Sequence, residues 1–342
     1  MKAAIFNPYL DTLGGGERYT LSFAKVLLDQ DWSVYLQWKD ESIKEKVFER
    51  FGINTDGINV VGDIKRGSGY DLCFWVSDGS IPLLFARKNI LHFQVPFKNV
   101  EGRSLLNRMK LIRVNDIVCN SKYTKKIIDE EYGVKSIVIY PPVDTLSIKP
   151  KRKEKIILYI GRFSQLVQSK RQDILIKAFK KLCKNKTIEG WSLILAGGVE
   201  VGVGDYINKL EKEVQNYPIK IVRSPNYKIV KDLYGRAKMF WSAAGFGVDE
   251  KKNPEKVEHF GVTTAEAMAA GAVPIVFEAG GFREIIEDGK TGFLWQEEKE
   301  LISLTKELIG DKNRMLSLSN NAVVASKRYG YEKFKKRVSE IL

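Results

Sequence analysis

The chain has 342 residues, 44% of them hydrophobic and 11% aromatic, which is enough apolar material for about two domains and excludes wholesale disorder. Lysine and arginine number 56 against 42 acidic residues, so the formal net charge is +14, with +3 in residues 1–150 and +11 in the remainder. This surplus favours an anionic partner: nucleic acid, an anionic membrane surface or a phosphorylated small molecule.

Three widely separated cysteines, Cys73, Cys119 and Cys183, form no CxxC pair. Their spacing argues against a zinc ribbon or a disulfide framework and favours a reducing compartment. The N-terminus enters a strand pattern without the apolar region of a signal peptide. The longest apolar run, 267–277, is well short of the ~20 residues that span a membrane. We therefore expect a cytoplasmic protein, at most peripheral to the inner face of the membrane.

Short β-rich runs alternate with helical patterns through the first half of the chain. Strands are predicted at 2–7, 32–38, 70–77, 90–94, 116–120 and 136–140, and helices at 17–28 and 122–131. Runs such as 137–140 are apolar throughout, which is typical of strands buried on both faces of a parallel sheet. The alternation predicts a doubly wound α/β domain over residues 1–148.

The pattern breaks at Pro141-Pro142, and the charged, proline-bearing segment 149–155 is typical of a linker between domains. A second series of strands is predicted at 156–160, 192–196, 219–222, 239–242, 273–277 and 292–295. We expect a second doubly wound domain over 149–325 that faces the first across a cleft. The terminal segment 326–342 carries a basic helix that could cross back to the first domain.

A glycine-rich turn, Gly14-Gly15-Gly16, follows the first strand and opens a helix, where backbone N–H groups at a positive helix end can bind an anion. The dinucleotide pattern GxGxxG fails because Tyr19 stands at its third glycine, so NAD binding is not predicted. Similarly, Gly289-Lys290-Thr291 lacks the first glycine of a P-loop, since Glu284 occupies that position. A plain structural turn is the alternative interpretation of the glycine run.

The next candidate site surrounds a helix that is predicted to begin at Thr263 or Thr264. The free N–H groups of such a start, together with the helix dipole, form an anion site. Glu258 and Glu266 bracket the start. Carboxylates are unfavourable beside a phosphate but suit the hydroxyl groups of a sugar. A capping role in solvent is the alternative for both.

Two cations follow the first strand of the second series, Arg162 in GRF and Lys170 in SKR. Ligands of open α/β sheets bind at the carboxyl ends of strands. Arg162 is therefore expected to face the cleft, and with Lys170 it could neutralise a pyrophosphate without a metal; surface charge is the alternative. Of the two histidines, His92 ends a predicted strand and is the better placed for a ligand. The DxD at 29–31 is interpreted as a solvated loop, and no metal site is predicted.

In this order the motifs resemble glycosyltransferase family 4, whose members are retaining enzymes of the GT-B fold. The resemblance extends over nearly the whole chain and rests on GGGER, HFQVP, NSKYT, YPPVD, GRF with SKRQD, EHFGVTTAEAMAAG, GGFRE and GFL. GGGER and EHFG are most similar to mannosyltransferases that build dolichol-linked oligosaccharides. SKRQD and FWSAAGFGVDE are more similar to bacterial transferases of surface polysaccharide synthesis.

The resemblance implies a hexosyltransferase of the EC 2.4.1 type. Such an enzyme moves a hexosyl group from a nucleotide-diphosphate sugar, of the GDP-mannose or UDP-glucose type, to a glycan or a lipid-linked acceptor. The implied mechanism is a front-face substitution in which the acceptor proton passes to the departing phosphate. It requires no protein general base, no metal and no cofactor.

The resemblance also implies roles for individual residues. In the second domain, Arg162 and Lys170 would bind the donor diphosphate together with the backbone N–H groups of Gly261, Val262 and Thr263. Glu266 would accept hydrogen bonds from the ribose, and Glu258 would contact the donor sugar. The segment around Arg223 would contact the base. Gly15 and Gly16 would close on the phosphate and acceptor side, and His92 would contact the sugar. Arg162 and Lys170 stand further apart than in many members, so Arg171 is an alternative to Lys170.

Three other interpretations stay open. A nucleotide-sugar hydrolase or epimerase would share these motifs. A polyanion-binding module would explain the charge, although neither an aromatic-studded basic strand nor a helix-turn-helix pattern is present, so no nucleic-acid partner is predicted. Finally, residues 102–114 combine four basic with several large apolar side chains and could form a helix lying on anionic lipid; an amphipathic helix packed on its own sheet is the alternative.

Overall fold

The computed structural model describes residues 1–164, 170–184, 188–199 and 202–342. The chain forms two compact units. Unit 1 comprises Met1–Pro142 with Tyr331–Leu342, and unit 2 comprises Val143–Gly330. The sequence placed the first boundary after residue 148, a few residues later than the junction after Pro142. It placed the second after residue 325, a few residues earlier than the junction after Gly330.

Unit 1 is built on a seven-stranded sheet whose adjacent strands all pair in parallel. In chain order its strands are β1 (Lys2–Phe6), β2 (Ser33–Gln37), β3 (Ile58–Val61), β4 (Leu72–Val76), β5 (Lys88–Phe93), β6 (Asp116–Cys119) and β7 (Ile137–Val138). Its first helices are α1 (Gly15–Leu28), α2 (Ile43–Phe51), α3 (Leu105–Leu111) and α4 (Lys122–Tyr132). The strand order β3-β2-β1-β4-β5-β6-β7 is that of a doubly wound fold.

Unit 2 has a six-stranded parallel sheet in the order β10-β9-β8-β11-β12-β13. Its strands are β8 (Glu154–Ile160), β9 (Ser192–Gly197), β10 (Ile219–Arg223), β11 (Ala237–Ser242), β12 (Val273–Phe277) and β13 (Phe293–Trp295). Its helices are α5 (Gln172–Lys184), α6 (Gly204–Val214), α7 (Tyr227–Arg236), α8 (Val262–Ala269), α9 (Phe282–Ile285), α10 (Glu298–Gly310) and α11 (Lys312–Ser326). The last helix of the chain, α12 (Tyr331–Ser339), belongs to unit 1.

Helix α12 is part of the core of unit 1 although it ends the chain. Its Phe334 and Val338 are buried, and the Phe334 ring meets Tyr19 of α1 edge-on, with centroids 5.1 Å apart. Asp29, which follows α1, accepts hydrogen bonds from Tyr331 Oη at 3.1 Å and Lys335 Nζ at 2.9 Å. The first carboxylate of the DxD therefore attaches α12 to α1, and residues 29–31 form a turn in which Asp29 and Asp31 are exposed, consistent with the predicted solvated loop.

The doubly wound α/β prediction is confirmed for both units. Strands β4, β8, β9, β11 and β12 lie inside their sheets and are largely apolar and buried, as expected for parallel strands covered on both faces. The sequence-based set lacked β3. This four-residue edge strand has only Ile58 buried, so its apolar signal is weak. In both sheets the strand order reverses at one place, between β1 and β4 and between β8 and β11, and such points form a crevice at the carboxyl ends of the strands.

Candidate functional site

The carboxyl end of β8 is shaped by glycines and a buried glutamine. A Cβ atom at Gly197 would lie 1.8 Å from the carbonyl oxygen of Gly161, so only glycine lets β9 end this close to β8. Gln172, at the start of α5, is fully buried. Its Nε2 donates to the Arg162 carbonyl at 2.9 Å, and its Oε1 accepts from the Tyr206 hydroxyl at 3.0 Å. The buried Gln172 side chain therefore fixes the backbone that carries Arg162.

Lys170 and Glu258 form an ion pair beside this strand end. Lys170 Nζ lies 2.8 Å from Glu258 Oε2, and the two side chains are only 12% and 19% exposed. Burial by itself would raise the pKa of Glu258, but the Lys170 ammonium, with further contributions from His259 and Arg162, holds this pKa below its ordinary value. The structure thus brings Arg162, Lys170 and an ionised Glu258 into one electrostatic cluster.

Arg171, the alternative to Lys170, has different partners. Its guanidinium donates to the Phe246 carbonyl at 2.9 Å and to both carboxylate oxygens of Asp173 at 3.1 and 3.0 Å. It also lies 5.5 Å from the centre of the Phe246 ring. The geometry therefore favours Lys170 over Arg171 as the cation beside Glu258. Ser169, the first residue of the SKRQD motif, lies outside the described residues.

Helix α8 starts differently from the prediction. It begins at Val262, with Gly261 as the preceding cap residue at φ 103, and among the described residues no side chain caps it. The predicted starts, Thr263 and Thr264, are wrong because the left-handed turn at Gly261 begins the helix earlier. The first N–H groups of any α-helix have no intrahelical acceptor, so those of Val262 and Thr263 point out of the positive end of the helix.

Glu266 lies one turn into α8 and is only 5% exposed. Its Oε2 accepts a hydrogen bond from the Tyr234 hydroxyl at 2.9 Å. Tyr234 belongs to α7 and is fully buried, so it holds the carboxylate in one orientation. The sequence analysis did not single out Tyr234, because nothing in the sequence relates α7 to α8.

The turn at Gly280-Gly281 fixes the backbone around Glu258. The Gly281 amide donates to the Glu258 carbonyl at 2.8 Å, and the Gly280 amide donates to Glu250 Oε2 at 3.0 Å. Arg283 in turn donates to Glu250 Oε1 at 2.7 Å. The GGFRE motif therefore acts on the candidate site by positioning the segment that carries Glu258.

The glycine turn of unit 1 has a structural reason of its own. Helix α1 begins at Gly15, and Glu17 Oε2 accepts from the Gly14 amide at 2.7 Å. A Cβ at Gly16 would lie 1.7 Å from the Gln94 side-chain oxygen, while Gln94 Nε2 donates to the Gly16 carbonyl at 2.8 Å. Close packing of Gln94 thus accounts for a glycine at position 16 before any ligand is considered. The predicted phosphate and acceptor contacts of Gly15 and Gly16 stay predictions.

His92 lies near the carboxyl end of β5, as the sequence predicted. The ring is fully buried within β5, stacked on Tyr19 with centroids 4.1 Å apart and facing Phe74 at 5.4 Å. Its Nδ1 is 3.1 Å from the Val118 carbonyl. Burial, opposed by this hydrogen bond, lowers the pKa of His92 to about 3, so the ring is neutral and Nδ1 carries the proton. The ring packs against Tyr19 of α1 and is 0% exposed, whereas the sequence analysis treated His92 as the histidine better placed for a ligand. Its contact with a sugar stays a prediction.

This histidine predicts a specific acid sensitivity. Because the folded pKa of about 3 is below the ordinary 6.5, the unfolded chain binds more protons between these values and stability falls as pH drops below 6.5. His92→Phe keeps a flat ring and removes the titration. Urea unfolding of both proteins at pH 7 and pH 5 should show the wild type losing about 2 kcal/mol more than the variant. Equal losses would contradict the assignment of a buried neutral ring.

Arg223 ends β10, and its side chain is directed to α6. It pairs with Glu211, Nε at 2.9 Å and Nη2 at 2.6 Å, and is 47% exposed. The next amide, of Ser224, donates to the Gly197 carbonyl at 2.7 Å. The backbone beyond β10 is therefore attached to the end of β9, and the predicted contact of this segment with a base stays a prediction.

No group of three or more histidine, cysteine or acidic side chains is placed to hold a metal ion within the described parts of the chain. Across the same residues, no helix combines the length and the apolar character needed to cross a bilayer.

Comparison with known proteins decides the family. Residues 145–324, which include Arg162, Lys170, Glu258 and Glu266, match the family described as Glycosyl transferases group 1. The chain belongs to this family. The matched region contains all six strands of unit 2 and every residue of the electrostatic cluster described above.

Curated relatives match over part of their length. An uncharacterised glycosyltransferase of Methanocaldococcus jannaschii is 28% identical over 219 residues, 64% of this chain and 56% of the relative. A mouse GDP-Man:Man(3)GlcNAc(2)-PP-Dol alpha-1,2-mannosyltransferase is 26% identical over 58% of this chain and 41% of its own length. The chain thus spans about half the length of these relatives.

Solved structures match nearly the whole chain. HepE of Anabaena, determined with UDP and glucose, superposes with a TM-score of 0.77 at 20% identity, covering 99% of this chain and 98% of HepE. A glycosyltransferase of Rickettsia africae gives 0.77 at 18% identity, covering 99% and 97%. This member of the Glycosyl transferases group 1 family therefore has the GT-B fold that the resemblance implied.

Proposed function

We propose that this protein is a retaining glycosyltransferase of family 4 that transfers a hexosyl group from a nucleotide-diphosphate sugar to a glycan or lipid-linked acceptor. The largely shielded Lys170–Glu258 pair, whose glutamate precedes α8 in the chain, is the observation that carries the proposal. It combines a cation and helix N–H groups for a diphosphate with a carboxylate for sugar hydroxyls. That HepE was determined with UDP and glucose, and that the mouse relative is named for GDP-Man, supports this substrate class.

The residues divide the work as follows. Arg162, Lys170 and the amides of Gly261, Val262 and Thr263 bind the diphosphate, and negative charge grows there as the sugar departs. Preorganised donors aimed at developing charge stabilise a transition state strongly because they need no reorganisation during the reaction. Two fixed cations and a helix end supply this stabilisation from the chain itself, so the proposed reaction is independent of a divalent metal.

The carboxylates hold the organic part of the donor. Glu266, oriented by Tyr234, accepts hydrogen bonds from the ribose hydroxyls, and Glu258 accepts them from the sugar. The acceptor oxygen bonds to the anomeric carbon on the face from which the nucleotide departs, and the bond from that carbon to the phosphate oxygen breaks. The acceptor proton passes to the departing phosphate oxygen, which needs no protein base and retains the anomeric configuration.

The proposed place of this reaction is surface polysaccharide or lipid-linked glycan synthesis in the cytoplasm. Transfer is tested by screening UDP, GDP and their common sugars for thermal stabilisation, then incubating the stabilising donor with lipid-linked acceptors, with and without EDTA. We expect an elongated product whose anomeric proton coupling matches that of the donor, at a rate that EDTA leaves unchanged.

Four other outcomes would contradict parts of the proposal. Free sugar without an elongated product would indicate a hydrolase, and an altered donor sugar would indicate an epimerase. Tight, steeply salt-dependent binding to nucleic acid that nucleotide sugars leave unaffected would indicate a polyanion-binding module. Inhibition by EDTA that added Mg²⁺ reverses would overturn the metal-independent mechanism.

A further inference from the structure

Helix α3 and the residue that follows it, Ile112, turn four large apolar side chains to solvent. Leu105, Leu106, Met109 and Ile112 are 77%, 61%, 60% and 83% exposed, and no residue of α3 is buried. Contiguous apolar surface of this kind on a soluble domain marks an interaction site. Packing on its own sheet, the alternative considered for this segment, therefore does not account for these four side chains.

The apolar side chains form a row flanked by positive charge. Leu105, Met109 and Ile112 are spaced by four and three residues, which places them on one side of the helix. Arg108 and Lys110 stand between them in sequence, and segment 102–114 contains no acidic residue.

Hydrogen bonds hold the chain before α3 firmly to unit 1. The Glu131 carboxylate accepts from the amides of Asn99, Val100 and Gly102 at 3.0, 3.0 and 3.2 Å. Arg103 donates to the backbone carbonyl that precedes Glu131 at 3.1 and 2.7 Å. The start of α3 is thus anchored by polar contacts that leave its apolar row outside.

The chain after α3 is anchored as well. Leu111 and Val114 pack against the buried cluster around Phe93 and Tyr132. Arg113 Nε donates to a backbone carbonyl of the neighbouring loop, that of Leu84, at 2.8 Å. Because both ends are attached, the exposed row is a defined surface of unit 1.

We propose that this surface docks on an anionic lipid bilayer. Leu105, Met109 and Ile112 would lie at the boundary between headgroups and acyl chains, while Arg108 and Lys110 would contact lipid phosphates. An apolar row flanked by basic residues suits an interface that is apolar below and anionic above. Phe85, 44% exposed and 5.8 Å from the Arg113 guanidinium, extends the apolar surface. This proposal does not depend on glycosyl transfer.

The test measures co-sedimentation of the full chain with phosphatidylcholine vesicles, with and without phosphatidylglycerol. Wild-type protein should bind the anionic vesicles preferentially. Arg108→Glu with Lys110→Glu should lower that binding at least about tenfold, since each basic residue near the surface contributes separately. Leu105→Ser with Ile112→Ser should also lower it, and this loss should persist at high salt, which screens only the charges.

Matched controls use exposed residues elsewhere. Lys333→Glu with Lys336→Glu makes the same charge change on α12, and Leu316→Ser with Val324→Ser removes apolar side chains that are 61% and 67% exposed on α11. Both controls should bind vesicles like the wild type. The proposal is overturned if wild type ignores all vesicles, if the controls lose as much binding as the α3 variants, or if the α3 variants change only the oligomeric state, which would indicate a protein interface.

Discussion

Glu258→Gln is expected to lower kcat for glycosyl transfer by about 10²–10³-fold, the range found when one preorganised electrostatic contact is removed from an active site. Glutamine keeps the shape of the side chain but not its charge. Lys170, 2.8 Å away and only 12% exposed, then loses its counterion. The sugar also loses an ionised acceptor, and hydrogen bonds to charged groups are about twice as strong as neutral ones.

The measurement is the initial rate at saturating donor, with thermal unfolding recorded on the same samples. Glu287→Gln serves as the control because Glu287 pairs with Lys290 on the surface, where an ion pair contributes little. That variant should keep the wild-type rate. A wild-type kcat for Glu258→Gln would remove this residue from the reaction. A raised KM at constant kcat would reduce its role to binding the donor equally in ground and transition states.

The fold was predictable because its signal is local. Strands covered on both faces must be apolar along their whole length, so runs such as 156–160 and 273–277 were visible in the sequence and lie within β8 and β12. Edge strands carry less of this signal. For that reason β3 was missed, and β7, predicted as 136–140, contains only Ile137–Val138.

The charged residues of the candidate site could be selected from the sequence, but the buried residues that hold them in position could not. Arg162 and Glu258 were selected from motifs almost a hundred residues apart, and the charge of Arg162 acts on the Glu258 carboxyl because the segments that carry them follow β8 and β11, which are neighbours in the sheet. Gln172 and Tyr234 act through buried hydrogen bonds across helices, and such contacts leave no periodic trace in one sequence.

For His92, the sequence predicted the position in the strand but not the direction of the side chain. Its position at the end of a predicted strand was right within one or two residues. Which face of the sheet a side chain enters depends on the register of the strand, and one residue changes the face. The sequence offered no means of choosing between a ring turned to a ligand and one stacked under Tyr19.

Gly281→Ala is expected to reduce both stability and activity, although the backbone at Gly281, φ −67 and ψ −14, is open to any residue. The obstacle is contact. The new Cβ would lie 2.3 Å from the His259 carbonyl oxygen and 2.5 Å from the Phe260 Cα. Both are backbone atoms, so no side-chain rotation relieves the clash. The free energy of unfolding should fall by about 1–3 kcal/mol, as in other overpacked sites.

Activity should fall further than this loss of stability explains. Since the Gly281 amide also binds the Glu258 carbonyl at 2.8 Å, the clash displaces the segment that carries Glu258. A shift of about 1 Å at a reacting group can cost about 10²-fold in rate. Gly310→Ala is the matched control, because a Cβ there meets nothing within 4 Å. The free energy of unfolding measured in urea and the transfer rate should both be near the wild-type values for this control. If Gly281→Ala lost stability but kept its rate, the GGFRE turn would support the fold without positioning Glu258.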